Sequence, residues 1–154
     1  MRTLALSDEI LMKVDKAARY IGGEVNSVMK DKNNVDIRFA MCFPDVYEIG
    51  MSNLGMMILY NMFNEREDVW AERVFSPWLD LDKIMREKNI PLFALESQEP
   101  VKDFDFLGIT LGYEMCYTNV LQVLDLSHIS LLAKDREEDD PIVIGGGACA
   151  YNPE

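Results

Sequence analysis

Phe39-Ala-Met-Cys-Phe-Pro-Asp-Val-Tyr-Glu-Ile-Gly-Met-Ser-Asn-Leu-Gly55 passes from an apolar run, through a loop, into a helix. The run lacks the alternation of a half-exposed strand, so it reads as a strand covered on both faces. Pro44-Asp45 breaks it. The chain loops through Tyr47, Glu48 and Gly50 and regains helical character at Ser52-Asn53. In an open α/β sheet, ligands bind outside the carboxyl ends of the strands. A small-molecule site is therefore expected around this strand-to-helix loop.

Read outward, the strand covers Val35 to Phe43. Upstream, Ser7-Asp8-Glu9 caps a helix expected to run to about Tyr20, and Gly22-Gly23 ends it. Ile10, Leu11, Val14, Ala17, Ala18 and Ile21 follow its 3.6 period. Glu24 to Lys30 has strand character, and the turn cluster Asp31-Lys-Asn-Asn34 would join it to Val35 as a hairpin. Residues 1–34 thus read as an arm and residues 35–154 as the domain proper.

Downstream, Asn53 to about Glu65 is a helix with Leu54, Met57, Ile58, Met62 and Phe63 as its buried stripe. Strands follow at Trp70–Phe75, Pro91–Leu95, Phe106–Leu111 and Pro141–Ile144. Helices are expected over Leu79 to about Asn89, with Leu81, Ile84 and Met85 inward, and from a Thr118 or Asn119 cap through Leu126. The second turns Val120, Leu121, Val123 and Leu124 inward, and the charge run Asp135–Asp140 is a solvated loop. Alternating strands and helices imply right-handed β-α-β units. The fold class is α/β, a doubly wound, mostly parallel, flavodoxin-like sheet of Rossmann type. A strand leading into Gly145-Gly146-Gly147 should be followed by a covering helix, and only ten residues follow Ile144. The expectation is a domain truncated at its C-terminus, rather than a naturally short protein.

Of the 154 residues, 27 are acidic and 15 are Lys or Arg, a net charge of −12. Such a field repels a nucleic-acid backbone, so no nucleic-acid partner is expected. No apolar run reaches membrane-span length and the N-terminus lacks signal-peptide character, which points to a cytoplasmic protein without a membrane partner. Cys42, Cys116 and Cys149 lie far apart without a Cys-x-x-Cys, so neither a zinc knuckle nor a disulfide framework is indicated. Cys42 reads as a small buried hydrophobe; Cys116 and Cys149 fall in expected loops, where they could react. His128 is the only histidine, near a helix end, so a His-based metal site or triad is hard to build. The ten methionines read as packing.

Three loops should converge on one rim: Pro44 to Asn53, Gly112 to Asn119, and Gly145 to Pro153. Glycines there let backbone approach a ligand, or serve tight turns only. Asp45 and Glu48 are paired carboxylates suited to acid/base work or hydrogen bonding; alternatively Asp45 fixes an Asx-turn after Pro44. Glu114 has the same two readings. Tyr47 and Tyr113 could stack on a flat ligand or pack on a neighbouring domain.

Asp45-Val-Tyr47-Glu-Ile-Gly50 resembles the Asp-x-His-x-x-Gly motif of cobalamin-binding domains, with Tyr47 where the histidine stands. Thr110 resembles part of the family's Ser-x-Leu segment, and Gly145-Gly146 its Gly-Gly segment. Four segments resemble the N-terminal domain of B12-binding-like radical SAM proteins: Ala18–Glu24, Phe43–Gly55, Phe75–Trp78 and Gly145–Glu154. The resemblance implies a domain that holds cobalamin or a substrate over a downstream barrel of the same chain. That barrel would cleave S-adenosylmethionine at a [4Fe–4S] cluster. The missing histidine excludes histidine-ligated cobalamin through this loop and leaves cobalamin without a histidine lower ligand, its dimethylbenzimidazole tail tucked away, as the cofactor the resemblance implies. The Cys-x-x-x-Cys-x-x-Cys signature is absent as well, so this chain alone is not expected to perform radical chemistry. The rim residues singled out are Asp45, Tyr47, Glu48, Gly50, Asn53, Thr110, Tyr113, Glu114, Gly145, Gly146 and Gly147, none as catalytic residues or metal ligands. The alternatives are a ligand-free module that docks the barrel or another subunit, and a flavodoxin-like FMN-binding protein.

Overall fold

The computed structural model describes residues 3–151. Asn152-Pro153-Glu154, the end of the glycine-rich segment singled out above, lie outside the described residues. Four strands, β1 (Ile37–Phe43), β2 (Val69–Phe75), β3 (Phe106–Thr110) and β4 (Ile142–Gly146), form one all-parallel sheet. Their order is β2-β1-β3-β4. With helices α1 (Asp8–Leu11), α2 (Tyr47–Met51), α3 (Leu54–Asn64), α4 (Leu79–Lys88) and α5 (Tyr117–Leu126), this is the expected doubly wound, flavodoxin-like architecture.

Right-handed crossovers decide which helix covers which face. From β1 to β2 the chain steps one way, and α3 lies on the face of Met41, Phe43 and Ala71, where Met56 and Tyr60 bury. From β2 to β3 and on to β4 it steps the other way, so α4 and α5 share the opposite face. There Leu81, Met85, Val123 and Leu124 pack on Ala40, Cys42, Val74, Leu107 and Ile109.

The arm departs from expectation. The helix from Ser7 stops at Leu11, Lys16 takes a left-handed φ of 54°, and a 3₁₀ turn occupies Ala17–Tyr20. The break lets Leu6, Ile10, Val14 and Tyr20 all bury in the α4/α5-side core. The Asp15 amide meanwhile donates to the Asp80 carboxylate at 2.6 Å. No hairpin forms over residues 24–34. Side chains satisfy that backbone instead: the Val28 amide donates to the Tyr60 hydroxyl at 2.7 Å, and its carbonyl accepts the Trp70 indole N–H at 3.0 Å.

Pro91–Leu95 is not a strand of the sheet, and makes a single antiparallel bridge between Phe93 and Pro100. It lies along the outer edge of β2. The Leu95 amide donates to the Arg73 carbonyl at 2.8 Å. Glu96 accepts the Arg73 amide at 2.7 Å, and Glu72 accepts the Ser97 amide at 2.8 Å. Both carboxylates are fully buried and ion-paired, Glu72 with Arg38 and Glu96 with Arg73, each at 2.6 Å. Burial pushes the Glu96 carboxyl up, against the opposing pull of Arg73.

Helix α3 buries a different face from the one expected. Met56 and Tyr60 are inside, while Leu54 (68% exposed), Met57, Ile58 (56%) and Met62 face outward. α5 begins at Tyr117 rather than at a Thr118 or Asn119 cap, and Leu121 is exposed where burial was expected. Met41, Met56 and Met85 pack in the core, but Met12, Met29, Met57, Met62 and Met115 are exposed, so packing does not account for the methionines as a group. Among the described residues, no helix is long and apolar enough to cross a membrane.

Candidate functional site

The chain leaves β1 toward β2 and leaves β3 toward β4, in opposite directions, so the boundary between β1 and β3 is the topological switch point where open α/β sheets bind ligands. The two loops above it are tied together. The Tyr113 hydroxyl donates to the Asp45 carboxylate, and the Asn119 side-chain amide donates to the Pro44 carbonyl at 2.9 Å. The other Asp45 oxygen accepts the Val46 amide at 2.7 Å, and the Asp45 carbonyl accepts the Ser76 amide at 3.0 Å, which anchors the loop to the end of β2. The hydrogen bond to Asp45 pushes the Tyr113 hydroxyl up to about 12.

Tyr47, Glu48 and Gly50 sit on α2, a short helix where a loop was expected, and turn away from this pair. The Tyr47 hydroxyl donates to Glu24 of the arm at 3.2 Å, with its ring edge-on to Phe75. Burial, reinforced by Glu24, holds its proton above the ordinary range. Glu48 accepts from Arg19 Nε at 3.0 Å and Lys16 Nζ at 3.3 Å, and the Arg19 hydrogen bond holds its carboxyl low. Gly50 is buried where a Cβ would stand 2.2 Å from Phe75 Cε1.

A second group lines a groove of about 330 Å³ on the α3 side of the sheet. Asn53 caps α3 by accepting the Met56 amide at 2.9 Å. Thr110, Gly145, Gly146 and Gly147 close the upper end, and Leu59 and Phe63 form the α3 wall. The floor is apolar: Phe39 stacks on Phe63 at 4.9 Å and on Phe106 at 5.8 Å. It also lies so close over Gly108 that a Cβ there would meet its ring at 2.6 Å. Gly147 has φ 120°, and a Cβ would meet the Leu111 carbonyl oxygen at 2.5 Å, so glycine is required. Glu114 is exposed in the 3₁₀ turn Glu114–Cys116.

The structure therefore divides nine of the singled-out residues three ways: Asp45 with Tyr113 at the switch point; Asn53, Thr110 and the three glycines at the groove; and Tyr47 and Glu48 against the arm; Gly50 packs on Phe75 and Glu114 stands apart, exposed. The groove floor escaped sequence reading because Phe39 and Gly108 look like ordinary strand residues. The Phe39–Gly108 approach is between neighbouring strands and leaves no local signal. Cys116, expected in an open loop, is buried, and burial pushes the Cys42 thiol up. The described residues hold no group of three or more His, Cys, Asp or Glu placed to ligate a metal.

The family described as radical SAM proteins, N-terminal, matches residues 55–154. An uncharacterized protein of Methanocaldococcus jannaschii is 25% identical over 112 residues, which is 71% of this chain and 19% of that protein. The chain thus spans about a fifth of the length of the curated relative it matches. No solved structure matches.

Proposed function

The chain belongs to the family of radical SAM proteins, N-terminal, and from that premise we propose that it is a ligand-presenting domain, non-catalytic by itself, at the front of a longer radical SAM protein. Its role is to hold a cofactor or substrate at the β1/β3 rim for a barrel carried later in the same polypeptide. The observation that carries this reading is the joining of two rim loops, through Asp45 with Tyr113 and Asn119 with Pro44, beside an apolar groove that ends in three glycines.

An iron–sulfur cluster does not fit the side chains of this chain, because the described residues supply no set of three ligands. The reading assigns the cluster and S-adenosylmethionine to polypeptide beyond residue 154. Cobalamin fits in part. An apolar groove with glycines at its head suits a flat aromatic tail, and backbone exposed at Gly145–Gly147 suits its polar attachments. The ring of Tyr47 is engaged with Phe75 and its hydroxyl with Glu24, so Tyr47 is not free to take the role of the motif's histidine. When bound, a corrinoid would supply methyl-transfer or redox chemistry; this chain's own residues would bind and orient it.

Titration with hydroxocobalamin, followed by absorbance and co-elution on gel filtration, tests the reading. Retention that weakens at least tenfold in Gly146→Leu, and is unchanged in Tyr47→Phe, is the expected result. Failure of hydroxocobalamin to co-elute with the full-length protein would remove the corrinoid. The second reading, a ligand-free docking module, is favoured by the engagement of Tyr47 and Glu48 with the arm, and it would then stand.

A further inference from the structure

We propose that a small monovalent anion, a halide of chloride size, binds in a cavity between the arm and the carboxyl end of β2, held by Arg19, Ser76 and Tyr20. The segments Ala18–Glu24 and Phe75–Trp78 have no part in the groove, yet they meet here. The cavity measures about 20 Å³. It is lined by Arg19 and Tyr20 of the arm, Tyr47 of α2, Phe75 and Ser76 at the end of β2, and Leu81 of α4. The Arg19 side chain is only 10% exposed, and its Nε and Nη2 both go to Glu48 Oε1, at 3.0 and 2.9 Å. Its buried Nη1 has no hydrogen-bond partner among the described residues, and neither has Oγ of the buried Ser76. The Tyr20 hydroxyl accepts the Trp78 amide at 3.2 Å, which leaves its own proton without an acceptor among the described residues. Buried donors left unpaired are costly. A halide only accepts and can take all of these donors at once, whereas a water must also place two protons of its own.

Size selects within the anions. About 10–15 Å³ of such space holds one water, so about 20 Å³ takes a single chloride-sized ion and no sulfate or phosphate. Charge agrees at the Arg19 corner. Lys16 and Arg19 share one Glu48 oxygen, which leaves a positive charge over. The first turn of α4 borders the cavity through Leu81, and its N-cap residue Trp78 supplies no side-chain acceptor, so the positive end of the helix dipole adds to the attraction. The opposing charge is Asp80, whose two oxygens already take the Asp15 and Leu81 amides. Arg73 also reaches the cavity, but its guanidinium is committed to Glu96, Asn26 and Ser27. The bound ion joins the arm, through Arg19, to the end of β2, through Ser76. Both residues continue to the rim: Arg19 holds Glu48 of α2, and the Ser76 amide donates to the Asp45 carbonyl at 3.0 Å. The proposal does not depend on what the groove holds.

Crystals of the full-length protein grown in sodium bromide test the site directly. An anomalous peak is expected within hydrogen-bonding reach of Arg19 Nη1 and Ser76 Oγ. In solution, replacing sodium gluconate by sodium chloride at constant ionic strength should raise the melting temperature saturably. Ser76→Ala should raise the half-saturating chloride concentration about tenfold or more, as the loss of one hydrogen bond to a charged group implies. Arg19→Met should abolish the response. Glu48→Gln leaves Arg19, Ser76 and Tyr20 in place and should keep it, which separates the ion from the Arg19–Glu48 pair. A water without anomalous signal at that position would overturn the proposal. So would a bromide peak with equal melting temperatures in the two salts, which is binding at crystal concentration only, or an equal chloride response in the wild-type chain and Ser76→Ala. A response lost in Glu48→Gln would overturn it as well, by assigning the effect to the ion pair.

Discussion

A methyl group at position 50 has no room. Alanine there would put its Cβ 2.2 Å from Phe75 Cε1 and 3.2 Å from Phe43 Cβ, and Tyr47 meets the Phe75 ring edge-on. Gly50→Ala should cost about 1–3 kcal/mol of overpacking, seen as a lower urea midpoint. A wild-type midpoint would show that the Phe75 ring gives way. The motif resemblance singles out Gly50, but the close approach that requires it comes from Phe75, twenty-five positions away, and cannot be read locally. Tyr113 offers a second test at this scale. Its hydroxyl is pushed to about 12, from an ordinary 10, by its hydrogen bond to Asp45. The folded-state value is the raised one, so this bond contributes fully below pH 10 and is lost as pH rises through about 12. Several tyrosines are held above the ordinary range, so ultraviolet titration at the tyrosinate band should show one fewer late-titrating tyrosine in Asp45→Asn than in the wild-type chain; an unchanged curve would disconnect the pair. The Arg73–Glu96 pair is more demanding, because both side chains are buried. Arg73→Leu strands a buried carboxylate and should cost about 3–5 kcal/mol, measured by denaturant unfolding. Glu72-Arg73 inside an otherwise apolar strand is a signal the sequence reading passed over, since buried charges require partners, but it does not identify the partner.

Elements separate into those that local pattern specifies and those that tertiary context overrides. The β1, β3 and β4 strands were legible as short apolar runs bounded by turn residues, and α4 was legible because Leu81 and Met85 stand among charges. Helix α3 was legible in extent and cap, but not in orientation. Leu54, Met56, Met57, Ile58, Leu59, Tyr60, Met62 and Phe63 put apolar side chains all round it, so periodicity cannot choose the buried face. The tyrosine decided it: Tyr60 lies against the Arg73 guanidinium at 4.5 Å and accepts the Val28 amide, partners that only the fold supplies. Two substitutions check this orientation in the present chain. Met56→Ala should destabilise by about 2–3 kcal/mol, and Ile58→Lys by less than about 0.5 kcal/mol. Comparable losses at both sites would mean that α3 is turned differently. The cap is a separate matter, and Asn53→Ala should cost about 1 kcal/mol of thermal or denaturant stability.

At the scale of the whole molecule, the segment 6–20 is part of the core. Leu6, Ile10, Val14 and Tyr20 bury with Leu81, Met85 and Leu92, while Arg19 and Lys16 hold Glu48. Deleting residues 3–21 should abolish cooperative thermal unfolding followed by circular dichroism, because it strips several large side chains from one cluster. A deletion variant that still melts in one sharp transition would show that the domain begins later. The helical period over residues 7–20 argued for one continuous helix, an arm packed on the body or on a neighbouring domain; the structure packs it on the body but breaks it. Its break at Lys16 is a tertiary compromise.

The β2 edge sets the direction in which the sheet can grow. The 95–97 segment already donates to the Arg73 carbonyl, and the Glu72 and Glu96 carboxylates occupy the amides of Ser97 and Arg73. A strand arriving there would have to displace two buried ion pairs before making its first ladder bond. At β4 no such barrier stands among the described residues. Any additional strand, whether supplied by the native polypeptide or by an unwanted neighbour at high concentration, is therefore recruited from the β4 side. Substitutions that disfavour pairing belong at residues 142–146, and the same precaution at β2 would gain nothing.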